Sequence, residues 1–109
     1  MVIVVKGRVA KKANWFEVEK KAVGALRAAL EKLGEVKQLS PAVVPTFQVG
    51  SLIVEIYDKF VRVGRGIFER FLVVAIGDES NDGKGEVVEV KGACRVVPTA
   101  IRIIKRLLS

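Results

Sequence analysis

The chain has no histidine and one cysteine, Cys94, in 109 residues. Without histidine, the commonest general base and the commonest metal ligand are missing. Ser-His-Asp and Cys-His catalysis are excluded, and one thiol cannot build a structural zinc site. A lone cysteine forms no internal disulfide, which agrees with a reducing compartment and points to the cytoplasm. No apolar run approaches the ~20 residues of a spanning helix, so no membrane association is expected. Residues 1–6, Met-Val-Ile-Val-Val-Lys, place the cation after the apolar stretch, the reverse of a signal peptide. With two Asn and two Gln beside abundant Val, Lys, Arg and Glu, the composition resembles that of thermophile proteins.

Charge is what the chain does have, and it is divided by region. Residues 1–50 carry 9 Lys+Arg against 4 Asp+Glu, and residues 91–109 carry 5 against none. Residues 51–90 carry 5 against 8, so a net −3 centre lies between two +5 ends and the sum is +7. Clustered cations on a small domain point to a polyanionic partner, most often nucleic acid.

The length is that of one domain, 1–109, and half of it is hydrophobic, enough for a core. Residues 2–5 are a β-branched run that reads as a buried strand. Asn14, with Glu17 three residues on, has the spacing of a helix cap. Phe16, Val23, Leu26, Leu30 and Leu33 then recur at helical intervals up to Gly34. Pro41 and Pro45 exclude a regular helix, and residues 42–49 read as an irregular or edge strand. Residues 51–63 fit two patterns: strands over 52–57 and 60–63 turning at Asp58-Lys59, or a helix with Leu52, Ile53, Ile56, Tyr57, Phe60 and Val61 on one face. Residues 67–76 read as a strand, and the alternation over 86–91 predicts its antiparallel hairpin partner across the polar turn 78–85. A last helix covers 96–108, with Pro98 in its first turn, Val97, Ile101, Ile104 and Leu108 inward, and Arg102, Lys105 and Arg106 outward. The order predicts an α+β two-layer sandwich, a mixed or antiparallel sheet with both helices on one face.

Three basic stretches are candidate phosphate contacts. Lys91, Arg95, Arg102, Lys105 and Arg106 lie in the acid-free C-terminal segment, where they could track a backbone. Gly7-Arg8 with Lys11 and Lys12 form a second, and Arg65 between Gly64 and Gly66, with Arg62 nearby, a third. Glycine admits close backbone approach and arginine forks onto phosphate. The alternative for each is a solvated turn or helix face. Asp78, Ser80, Asp82, Gly83 and Glu89 have calcium-loop spacing, but Gly85 stands at the aliphatic position and the flanks read as strands, so a polar hairpin tip is expected. The stretch 77–85 lacks phosphate-loop spacing. Cys94 reads as a small buried residue at a tight turn, and Phe16 and Phe60 as core, with Trp15 the aromatic most open to a partner.

The strand Val87-Val88-Glu89-Val90-Lys91, the turn Gly92-Ala93-Cys94-Arg95 and the helix start Val96-Val97-Pro98-Thr99-Ala100-Ile101 resemble the second strand and helix of the Alba family of small archaeal nucleic-acid-binding proteins. Cys94 stands where that family has glycine, and the family continues into a β-hairpin after this helix. The resemblance implies contacts at Lys91 and Arg95. The layout of strand, helix, three strands and helix also resembles ribosome-hibernation factors, which bind ribosomal RNA. Together these readings predict a non-enzymatic protein that binds RNA, somewhat before DNA, mainly through backbone phosphates, with no cofactor and no small-molecule substrate. The second reading is a protein-interaction module in which the acidic centre meets the basic ends of another copy, giving a homodimer or larger assembly. An enzyme built on carboxylates, Lys, Tyr or Ser comes third.

Overall fold

The computed structural model describes residues 1–40, 44–80 and 82–109. Its elements are β1 (Val2–Arg8), α1 (Trp15–Glu31), β2 (Val36–Ser40), β3 (Thr46–Val49), β4 (Leu52–Gly64), β5 (Ile67–Gly77), β6 (Gly85–Val90) and α2 (Val96–Leu108), the last entered through a 3-10 turn at Ala93–Arg95. One mixed sheet has the order β2-β3-β4-β5-β1-β6. Both helices cover the same face, as the sequence predicts.

Alternation decides which side chains meet the helices. Ile3 and Val5 of β1, Leu52, Val54 and Ile56 of β4, and Leu72, Val74 and Ile76 of β5 form the sheet's half of the core. Ala22, Leu26 and Leu30, spaced four apart on α1, and Val97, Ala100 and Ile104 on α2 form the other half. Each fully buried Leu or Ile contributes about 1.5–3 kcal/mol relative to an exposed one. Asn14 caps α1, its side-chain oxygen accepting the Phe16 N–H at 3.0 Å. Lys32 ends the helix two residues before Gly34.

Several expectations are corrected. Residues 52–64 are one strand rather than two strands or a helix, and the chain reverses at Arg65-Gly66, where Gly66 has a φ of +70° that favours glycine. The helix-like spacing arose because β4 is apolar on both sides near its start. β5 and β6 are not partners: β1 lies between them, antiparallel to β5 and parallel to β6. The alternating pattern of β6 fixed which face it buries, not its neighbour. Residues 36–49 supply two strands, and β3 is internal, between β2 and β4, while β2 is the edge. The part of that expected strand at 42–43 lies outside the described residues, as do Pro41 before it and Asn81 of the polar turn. Phe16 and Phe60 are not core residues, being 79% and 56% exposed. Cys94 is exposed, not buried.

No helix among the described residues is long and apolar enough to cross a membrane.

Candidate functional site

Parallel pairing of β1 and β6 has a direct consequence. Each strand feeds a helix, so both strand-to-helix connections leave the sheet at the same end. The β4–β5 turn lies there too, because β5 runs antiparallel to β1, with Arg8 opposite Phe71. Three basic stretches far apart in sequence therefore share one pole of the molecule: Arg8 to Lys12, residues 59–70, and Lys91 to Arg95.

The two connections interlock. A Cβ on Gly7 would lie 2.5 Å from the Gly92 carbonyl oxygen and 2.7 Å from Val96 Cγ2. Only glycine permits this approach, and it holds the Lys91–Arg95 turn against the end of β1.

The β4–β5 hairpin extends past the body of the sheet. The β1–β5 pairing ends at Arg8 and Phe71, and the β3–β4 pairing ends at Glu55. The remaining register, Phe60 with Arg70, Val61 with Glu69, and Arg62 with Phe68, forms a two-stranded arm about 15 Å long. It carries four of the eight exposed large hydrophobics among the described residues, Phe60, Val63, Ile67 and Phe68, beside the cations Lys59, Arg62, Arg65 and Arg70. Its base is fixed by a stack in which the Arg70 guanidinium lies 5.1 Å from the Trp15 ring and 4.5 Å from the Phe60 ring. Arg70 Nε is buried without a hydrogen-bond partner and stands 3.4 Å from Asp58 Oδ2.

Ion pairing sorts the cations at this pole. Arg8 is paired with Glu69 at 3.2 Å, Lys6 with Glu89 at 3.7 Å, and Arg70 with Asp58. Lys11, Lys12, Lys59, Arg62, Arg65, Lys91 and Arg95 have no ion-pair partner among the described residues. The acids of the arm and Glu89 of β6 are thus each matched by a cation, while Glu86 at the far end of β6 and Glu17 and Glu19 of α1 stand outside these pairs. The positive ends of both helix dipoles add to the excess at the same pole.

Not every candidate from the sequence gathers here. Arg102, Lys105 and Arg106 are exposed on α2, which runs away from the pole, and Arg106 lies about 15 Å along the helix from Arg95. Lys105 and Arg106 sit in the last turn, where the dipole favours cations. Reading the C-terminal segment as one stripe therefore joins two separate groups. Conversely, Phe68 and Arg70 belong to the pole without being among the sequence candidates, and Phe60 belongs there although the sequence reads it as core. The signal was local: residues 59–70 carry four cations against Glu69 alone.

The opposite pole is different. Asp78 Oδ1 accepts from the Met1 ammonium at 3.1 Å and from the Ser80 hydroxyl at 2.7 Å, and Asp82 Oδ1 lies 2.9 Å from the same ammonium. Glu89, the twelfth residue of the calcium-like spacing, is on β6 beside Lys6, so the spacing does not gather its oxygens. Hydrogen bonds hold both carboxyls below the usual range: the Ser80 hydroxyl, then Met1, act on Asp78, and the Lys84 N–H, then Met1, act on Asp82. The hydrogen bond that the ammonium donates to Asp82, with Asp78 adding to it, raises the ammonium above the ordinary terminal-amine value. A lowered carboxyl contributes stability that is complete above its unfolded value and is lost as pH falls through the folded one. A raised amine contributes stability that is complete below its unfolded value and is lost as pH rises through the folded one. Stability is therefore expected to plateau between roughly pH 4 and 8. Urea midpoints at acidic, neutral and alkaline pH check this, and Asp82→Asn should reduce the loss on both sides. Identical pH profiles for the two proteins would contradict it.

Compared with known proteins, the chain matches no family model, no curated protein and no solved structure.

Proposed function

We propose that this chain is a non-enzymatic nucleic-acid-binding protein of the cytoplasm that engages phosphate backbone with its basic pole. The observation that carries this reading is the convergence there of Lys11, Lys12, Arg62, Arg65, Lys91 and Arg95, all free of carboxylate partners among the described residues. Each cation that meets a phosphate releases a condensed counterion, so several free cations on one surface give salt-dependent affinity without sequence readout. The projecting arm supports the same reading, since a two-stranded ribbon with cations and apolar side chains suits a groove or a set of unstacked bases. The resemblance of residues 86–109 to Alba agrees with it at Lys91 and Arg95. In this chain a long hairpin precedes that strand and helix, where the family places one after them. The exposed free Cys94 agrees with a reducing compartment.

Gel shifts against single-stranded RNA, duplex RNA and duplex DNA across a salt series test the reading. A steep linear loss of affinity with rising salt is expected, and no binding at 50 mM salt would end it. Converting Arg102, Lys105 and Arg106 together to glutamine is expected to weaken binding less than threefold. A loss above tenfold would move the surface to α2.

Association of copies through opposite charge has less to work with. Asp78 and Asp82 of the acidic turn are already paired with Met1, which leaves Glu79 and Glu86 at that end to meet the basic pole of another molecule.

A further inference from the structure

On the side of the arm facing the helices, four planar side chains form a two-by-two grid. Phe60 stands opposite Arg70, and Arg62 stands opposite Phe68, so each phenyl ring is diagonal to the other and beside a guanidinium. The four share parity with Ile56 and Leu72, which face the core farther down the same strands. Arg70 is partly covered by Trp15, whereas Phe60, Arg62 and Phe68 are exposed. A cleft of about 350 Å³ opens between this grid and the β1–α1 connection, with Phe60, Phe68 and Arg70 on one side and Val9, Ala10 and Lys11 on the other.

The stack at the arm's base ends in this cleft. Trp15, Arg70 and Phe60 follow one another in order, and Arg70 covers one side of the Phe60 ring. Phe60 nevertheless remains 56% exposed, as does Phe68. Two half-exposed phenyl rings on one cleft form an apolar patch of the kind that marks a binding surface. The cation Lys11 at the mouth selects against a purely apolar occupant. Glu69, the acid lining the cleft, is held by Arg8 at 3.2 Å, which offsets its repulsion of an anion.

We propose that the cleft holds an unpaired nucleobase, which extends the Trp15–Arg70–Phe60 stack while its phosphate lies against Lys11. This rests on the nucleic-acid reading above and adds that the preferred partner is single-stranded. A base inside a duplex has both faces covered by its neighbours and cannot enter, whereas an unstacked base offers its π-face to an aromatic ring. Sequence preference is expected to be slight, because every base has such a face.

The test compares wild type with Phe60→Leu/Phe68→Leu, using 12-nucleotide RNA and DNA strands carrying one central 2-aminopurine, and the matching duplexes. Wild type is expected to bind the single strands at least tenfold more tightly than the duplexes and to quench the 2-aminopurine. The double variant is expected to lose roughly tenfold or more in single-strand affinity and most of the quenching, with duplex affinity changed less than threefold. Phe68→Tyr, which keeps a ring, is expected to retain both signals. Since both phenylalanines are exposed, far-UV circular dichroism should show the variants folded. RNA and DNA strands of equal affinity point to the base alone, and a preference for RNA adds the ribose hydroxyl to the recognised group. Equal affinity for strands and duplexes, unmoved by the leucine substitutions, would overturn the cleft while leaving phosphate binding intact. Absence of binding to any of the probes would overturn both.

Discussion

Replacing Lys11, Arg62, Arg65 and Lys91 together by glutamine is expected to lower the slope of log affinity against log salt by about 3, since each phosphate contact adds about 0.7–0.9 to it. Between 50 and 200 mM salt a difference of that size corresponds to a roughly 100-fold smaller fall in affinity. The four residues come from three stretches, the β1–α1 connection, the arm and the turn after β6, so each tests a different part of the pole. All four are exposed and free of ion pairs among the described residues, and their loss removes no partner from a carboxylate. Stability should therefore hold while affinity falls. Arg8 and Arg70 are unsuitable for this test. Arg8 is bound to Glu69, and Arg70 is stacked between two rings, so substituting either disturbs structure as well as charge. A salt slope unchanged by the four substitutions would place the phosphates elsewhere.

Gly7→Ala is expected to be the most damaging single substitution of a small residue. The new methyl would stand 2.5 Å from a backbone oxygen, that of Gly92, which cannot rotate away as a side chain could. Overpacking of this kind costs about 3 kcal/mol, and for a domain of this size that lowers Tm by roughly 15 °C. Relief requires β1 and the Gly92 turn to separate, which also displaces Lys91 and Arg95. Nucleic-acid affinity should thus fall with stability even though no charge is lost. Gly24→Ala is the matched comparison, because a Cβ there meets nothing within 4 Å and the site is an exposed helix interior. It is expected to stabilise by about 0.5–1 kcal/mol. Equal thermal midpoints for the two variants would contradict the interlock.

The two helices and the layering were readable because Leu26, Leu30 and Ile104 repeat at the helical period and Asn14 marks a start. What failed was pairing. Alternation in β6 says that Val88 and Val90 face one way, but nothing local says that β1 rather than β5 lies alongside. An antiparallel partner nearby in sequence is the usual answer, and here a strand 83 residues away takes the place. Residues 52–64 were ambiguous because Leu52, Val54 and Ile56 face the helices while Ile53 and Tyr57 lie on the other side, so apolar residues occupy both faces.

The candidate site was legible in pieces. Arg8, Lys11, Lys12, Arg65, Lys91 and Arg95 all reach the basic pole, though Arg8 arrives already paired. Averaging charge over residues 51–90 concealed the arm. Within that net −3 segment, residues 59–70 carry four cations against one acid, while residues 78–89 carry five acids against one cation. The fold sends the first run to one end of β5 and all of the second but Glu89 to the other, which no segment average can register. Phe60 reads as core because it continues the apolar spacing of Leu52, Ile53, Ile56 and Tyr57. Its strand outruns the sheet at that point, leaving the ring in the open.

The most direct measurement is amide chemical-shift mapping of the ¹⁵N-labelled protein during titration with a single-stranded oligonucleotide at low salt. The largest perturbations are expected in residues 8–14, 59–70 and 91–95, with residues 82–86 and the last turn of α2 unmoved. Perturbations centred on residues 102–109, or on the turn that holds Met1, would contradict a basic pole as the binding surface.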